Sequence, residues 1–159
     1  RLVISIIAFV IIVSLALWGY LFFRLQAYTP YSGTIEVAQV TVVHTREGQH
    51  QLSVQVIRID ANGYQKVDKP YLIQGDEVEL KYEYVTLPAW LGLFGLHSGY
   101  ILTGLEGYYN NGATGSYQSL GTADQDHSPL VSPQFSSITF MPGGKAHPLI
   151  MSQTGLHEP

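Results

Sequence analysis

The chain contains no cysteine, which excludes disulfides, thiolate metal sites, c-type haem attachment and cysteine nucleophiles together. Charge is scarce as well. Asp, Glu, Lys and Arg make up 13% of the 159 residues, about half of the roughly 25% usual in soluble domains. No basic cluster occurs, and 12 Asp and Glu against 8 Lys and Arg leave a net charge of −4. Affinity for nucleic acid comes largely from cations set against phosphates, so nucleic acid is not an expected partner. Gly-x-Ser-x-Gly elbows, phosphate loops and dinucleotide fingerprints are also missing. Gly143-Gly144-Lys145 lacks the first Gly and the following Ser or Thr that a phosphate loop needs.

What is present begins with a long apolar run. Leu2–Phe23 holds no charged side chain, and its Ser5 and Ser14 can bond back to a helix backbone. At 1.5 Å per residue the run spans about 33 Å, matching a hydrocarbon core of roughly 30 Å, and it reads as a transmembrane helix. Trp18, Tyr20, Phe22 and Phe23 crowd one end and Arg24 follows. Trp18, Tyr20 and Arg24 are therefore expected at the membrane interface, where amphipathic rings and a snorkelling cation meet headgroups. A cleaved signal peptide is the first rival, but its apolar region is shorter, about 7 to 15 residues, and Arg24-Leu25-Gln26-Ala27 is a weak cleavage site. A pilin-type N-terminus would carry an acidic residue in its first turns, and none is there. With Arg1 as the basic flank and an acidic domain behind the helix, the N-inside orientation is expected, which in a bacterial inner membrane leaves the domain in the periplasm.

Four regions are expected: a membrane helix over 1–25, a linker over 26–33 in which Pro30 stops helical continuation, a β domain over 34–109 and an extended, low-charge tail over 110–159. The β domain should be a small antiparallel sandwich or open barrel with one short apolar helix, so the chain is mainly β. Val- and Ile-rich stretches at 34–44 and 51–60, with a turn at Arg46-Glu47-Gly48-Gln49, predict a hairpin. Asn62-Gly63 is the strongest turn signal in the chain, because both residues tolerate positive φ, and 64–67 should return as a strand. In 77–85, Val78, Leu80, Tyr82 and Tyr84 alternate with Glu77, Glu79, Lys81 and Glu83, so one face should be buried and the other wet. The apolar run from Pro88 to Leu96 breaks this alternation. Too short to span a bilayer, it should either cap the open end of the sandwich or dip into the interface beside the anchor.

The stretches 71–80, Trp90-Leu91-Gly92-Leu93-Phe94-Gly95-Leu96 and 99–109 supply a Gly-Asp turn before an alternating strand, an apolar Leu-Gly-Leu helix and a strand ending in Gly-x-Tyr. Together they resemble a family of small single-pass bacterial membrane proteins that often bear the genome label "cation/multidrug efflux pump". Where that family usually carries Arg near Tyr100 and Leu105, this chain has Ile101 and Gly104. The resemblance implies an anchored β domain. A pump it does not imply, since one helix cannot build an alternating-access pathway, which needs repeats packed around a midplane site.

Candidates for chemistry each have an ordinary structural explanation. Glu77, Glu79 and Glu83 share a strand face on which a divalent cation could sit, but a solvated face balanced by Lys81 explains them equally well. His44 and His50 flank a turn and could face each other, giving two metal ligands without a third; His127, His147 and His157 have no converging spacing. His97 with Glu106 could be posed as an acid/base pair, with no nucleophile fixed nearby. No catalytic residue, metal site or cofactor is therefore expected. The tail is rich in Gly, Ser, Pro, Gln and Thr, with apolar islands at 138–141 and 149–151. Alone it cannot offset its ordering entropy, so a partner protein is expected to hold it. Trp90, Leu93, Phe94, Phe140 and Met141 are the expected partner contacts. The chain should then be an accessory or assembly subunit of a larger membrane complex, respiratory or photosynthetic in type. The alternative is a tethered periplasmic ligand-binding or enzymatic domain, which a deep polar pocket gathering Asp76, His97 and Glu106 would favour.

Overall fold

The computed structural model describes residues 2–25, 28–31, 34–45, 48–59, 62–120, 134–152 and 155–159. Helix α1 runs Leu2–Leu25. Its stretch Leu2–Phe23 is long and apolar enough to cross a membrane, and none of it is buried inside the protein. Ser14 donates to the Val10 carbonyl at 2.8 Å, so the helix satisfies its own polar group. The side chain of Arg24 lies outside the described residues.

Among the described residues eleven strands follow: β1 (Thr29–Tyr31), β2 (Ile35–His44), β3 (Gln51–Ile59), β4 (Gln65–Val67), β5 (Tyr71–Gln74), β6 (Glu77–Val85), β7 (Ser98–Tyr108), β8 (Thr114–Ser119), β9 (Gln134–Phe140), β10 (Ala146–Ser152) and β11 (Gly155–His157). They form two antiparallel sheets. The first has the order β1-β7-β6-β9, with β8 also on β7 beyond β1; the second has the order β11-β10-β2-β3-β4, with β5 also on β3. The mainly β, sandwich-like fold expected from the alternation is the fold observed. Val40, Val42, Val54 and Val56 of the second sheet pack with Val78, Leu80, Leu105 and Phe140 of the first in one core, all of them at most 2% exposed.

The β2–β3 hairpin has the expected partners, Val42 opposite Val54 and His44 opposite Leu52. Gly63 takes φ +80, and Val67 returns opposite Ile57, as the Asn-Gly signal requires. The Gly75-Asp76 step does something else: it carries the chain from β5 in one sheet to β6 in the other. Gly75 has φ +150, and a Cβ there would stand 2.7 Å from the Tyr108 backbone nitrogen, so only glycine fits this corner. A Cβ on Gly107 or Gly115 would come 2.1 or 1.8 Å from the Gln74 carbonyl oxygen. Missing side chains thus let β5, β7 and β8 meet where the two sheets adjoin.

The boundary expected at 109/110 is not a division in the fold. β8 pairs with β7, β9 with β6 and β10 with β2, so strands from the expected tail complete both sheets. Phe140, Leu149 and Met151 are core residues. Apolar islands too small to fold alone become stable once strands already present give them a non-local template. The tail is extended, but in its described residues this chain's own sheets hold it. Residues 121–133, including His127, lie outside the described residues.

The short apolar helix is a 3-10 helix, Ala89–Phe94, stopped by Gly95 at φ 78. None of its residues is buried, so it does not cap the core. Leu96, just after it, is buried, 2% exposed.

Candidate functional site

Strand polarity gives the domain a near end and a far end. α1 ends at Leu25 and β1 begins at Thr29, so the domain starts within a few residues of the apolar helix. β1 pairs with the first residues of β7, Tyr31 opposite Ser98, which brings the 3-10 helix to this near end. There Trp18 of α1 packs edge-on against Phe94, ring centroids 5.6 Å apart, and Phe94 meets Trp90 at 6.3 Å. Trp90 and Phe94 stay 60% and 59% exposed, and Leu93 is 87% exposed. Beside them a cleft of about 280 Å³ opens between the end of α1 and the start of β7, lined by Phe22, Leu25, Tyr28, Pro30, Leu96 and His97. Sequence reasoning missed Leu25 and Tyr28, whereas Leu96 ends the apolar run it had singled out. Only the aromatic after the span hinted at them, since their meeting depends on the β1–β7 pairing.

The five expected contact residues do not make one surface. Trp90, Leu93 and Phe94 share the near end. Phe140 is 2% exposed, packed in the core beside the His147 ring, so a partner cannot reach it; the strand pairing of β9 turns its ring inward. Met141 is exposed but follows Phe140, whose partner is Val78, whereas the near end of β6 is Val85. That places Met141 about 26 Å away along β6, at roughly 3.3 Å per residue. Of the expected interface residues, Trp18 and Tyr20 are partly exposed on α1.

On the outer face of the first sheet, Glu79 lies directly opposite Glu106, a like-charge pair that is unfavourable alone. Lys81 pairs with Glu106, Tyr108 donates to Glu106 at 2.7 Å, and Ser137 donates to Glu79. Lys81 and the Tyr108 hydroxyl hold the Glu106 carboxyl below its usual value. In return Glu106 raises Lys81, and the hydrogen bond to Glu106, with burial, raises Tyr108. Lys81, Thr103, Tyr117 and Ser136 line a shallow groove here of about 530 Å³, with the buried Glu83 at its floor. Tyr28 from the helix–domain connection donates to Glu83 at 3.4 Å. The Tyr117 ring lies over Gly104, where a Cβ would be 2.3 Å from its hydroxyl. Glycine at 104 thus makes room for a ring.

At the far end the histidines separate. His44 faces Leu52, not His50. His50, in the left-handed region at φ 47, meets Asp76 at 2.5 Å and packs on the Tyr109 ring. Asp76 also accepts from the Asn110 backbone N–H at 2.9 Å, and these two bonds, His50 first, lower its pKa. The backbone N–H groups of Gly75 and Asp76 donate to the His50 and Tyr108 carbonyls. This is a structural clasp across strands. His147 pairs with Glu158 at 2.8 Å, and His157 sits on β11.

These placements bear on chemistry. His97 lies at the near end, Asp76 at the far end, and Glu106 is engaged by Lys81 and Tyr108; the acid/base pair His97–Glu106 does not form. Among the described residues no group of three or more His, Asp or Glu could hold a metal ion. The apolar surface at the near end consists of a bare helix and the exposed 3-10 tip touching it. No family model, curated protein or solved structure matches the chain.

Proposed function

We propose that the chain is a single-pass membrane protein of the bacterial inner membrane whose β domain stands on the periplasmic face and serves as an accessory or assembly subunit of a larger membrane complex. The single observation that carries this reading is the bare helix. Leu2–Phe23 is uncharged and unburied, and leaving its sixteen exposed large apolar side chains in water would cost about 1.5–3 kcal/mol for each. Hydrocarbon and neighbouring helices are the surroundings that remove this cost.

A subunit role gains support from what does not converge. The tethered-enzyme alternative needs Asp76, His97 and Glu106 around one pocket, and they are dispersed. The tail offers no support to a partner, because its described strands are held by β2, β6 and β7. Support rests instead on the span. Mild cross-linking in native membranes, detergent extraction and mass spectrometry of co-purifying chains tests the proposal. A stoichiometric membrane partner is expected; a chain extracted alone and monomeric overturns the subunit role, and one that stays in solution without detergent overturns the span.

A further inference from the structure

We infer that the 3-10 tip Ala89–Phe94 is a second membrane element, seated at the boundary of headgroups and acyl chains in the leaflet where α1 ends, and that it fixes the orientation of the β domain on the bilayer. The inference rests on reading α1 as a span.

Depth is the first support. Trp18 lies seven residues before Leu25, so the ring that touches Phe94 is about 10 Å back along the helix from its end and about 7 Å inside Phe23. The tip therefore folds back beside the span instead of pointing into water. Interfacial elements bury their apolar faces about 5–10 Å deep, which is the level Phe94 reaches.

Composition and backbone agree with that depth. Ala89-Trp90-Leu91-Gly92-Leu93-Phe94 carries no charge, and its Trp90, Leu93 and Phe94 are all more than half exposed. An indole with an N–H at one edge suits the headgroup level. Non-helical backbone at such depth must satisfy itself. Here Leu91 N–H donates to the Pro88 carbonyl, Gly95 N–H to Gly92 and Leu96 N–H to Leu91. Continuity decides the occupant. The patch runs through the Trp18–Phe94 contact into a surface that lipid already covers, so the bilayer is the surface it meets first. A partner protein or a second copy would have to displace lipid.

Trp18 and Trp90 are the only tryptophans, which makes the test direct. The full chain is reconstituted into phosphatidylcholine vesicles brominated near the top of the acyl chains, as W18F and as W90F, with far-UV circular dichroism as the control for folding. In W18F, Trp90 is expected to emit at short wavelength, to be shielded from iodide and to lose as much emission to bromolipid as Trp18 loses in W90F. Trp90 open to iodide and untouched by bromolipid, with Trp18 quenched, overturns the inference and leaves the span standing. Trp90 shielded from both quenchers means that protein covers the tip, and this also overturns it. If Trp18 itself escapes bromolipid, the span fails and the inference with it. Leu93→Trp on the W18F/W90F background repeats the reading at an exposed site whose substitution does not disturb packing.

Discussion

At the near end of the domain, Trp90, Leu93 and Phe94 stand in the open and touch little besides one ring of α1, whereas at the far end His50, Gly75, Asp76, Tyr108 and Asn110 bond to one another across β5, β6 and β7. The far end spends its residues on closing the fold. The near end leaves large apolar side chains more than half exposed. Substitutions should therefore damage stability at the core and far end and membrane behaviour at the near end, and five comparisons can break or sharpen that division.

The largest effect is expected from Phe140→Ala, which empties a 2% exposed site and should lower unfolding stability by about 3–5 kcal/mol. Its neighbour Met141, 68% exposed, should lose no more than about 0.5 kcal/mol on change to Ala. Denaturant titration of the full chain in micelles, followed by tyrosine and tryptophan emission, compares the two; equal losses would contradict the inward placement of Phe140. Next comes Gly115→Ala, whose Cβ would press on the Gln74 carbonyl at 1.8 Å; overpacking of this kind should cost about 1–3 kcal/mol. The same titration reads it.

A smaller effect concerns pH. The Asp76 carboxyl is held below its ordinary 3.8 by His50 and Asn110, so the folded form binds the proton more weakly than the unfolded one. Its stabilisation is complete above that ordinary value and is lost as pH falls through the lower folded value. Asp76→Asn should flatten the acid limb of stability below about pH 4, an outcome that acid titration by circular dichroism checks. Lys81 has the opposite sign: its pKa is raised above 10.5, so its contribution is whole below that value and fades as pH rises through the higher folded one. The exposure of the pair limits its coupling with Glu106 to less than about 1 kcal/mol in a double-mutant cycle. Smallest of all, Leu93→Ala at the near end should move folding stability by less than about 0.5 kcal/mol; a larger loss would mean that the tip packs on the domain.

Local patterns made much of this legible. The apolar run set α1, the alternation of 77–85 set β6, and Asn62-Gly63 set the β3–β4 turn, because each signal lies within a few residues of its effect. The Pro88–Leu96 run was visible as a short helix, though not as a 3-10 one. Pairing partners distant in sequence were not legible. Phe140 reads as an exposed island until β6 is placed beside it, and Gly104 is a plain strand glycine until Tyr117 is laid across it. The Gly75-Asp76 turn was visible, but not that it joins two sheets, since a glycine's φ does not say which strand comes next to it. The dispersal of Asp76, His97 and Glu106 likewise depends on the registry of β6 and β7.

Only two residues separate Leu25 from Tyr28, whose backbone N–H already donates to the Leu25 carbonyl. So short a leash gives the domain almost no radius of search. On the reading of α1 as a span, any protein the domain engages must bring its own surface down to within one domain's height of the lipid.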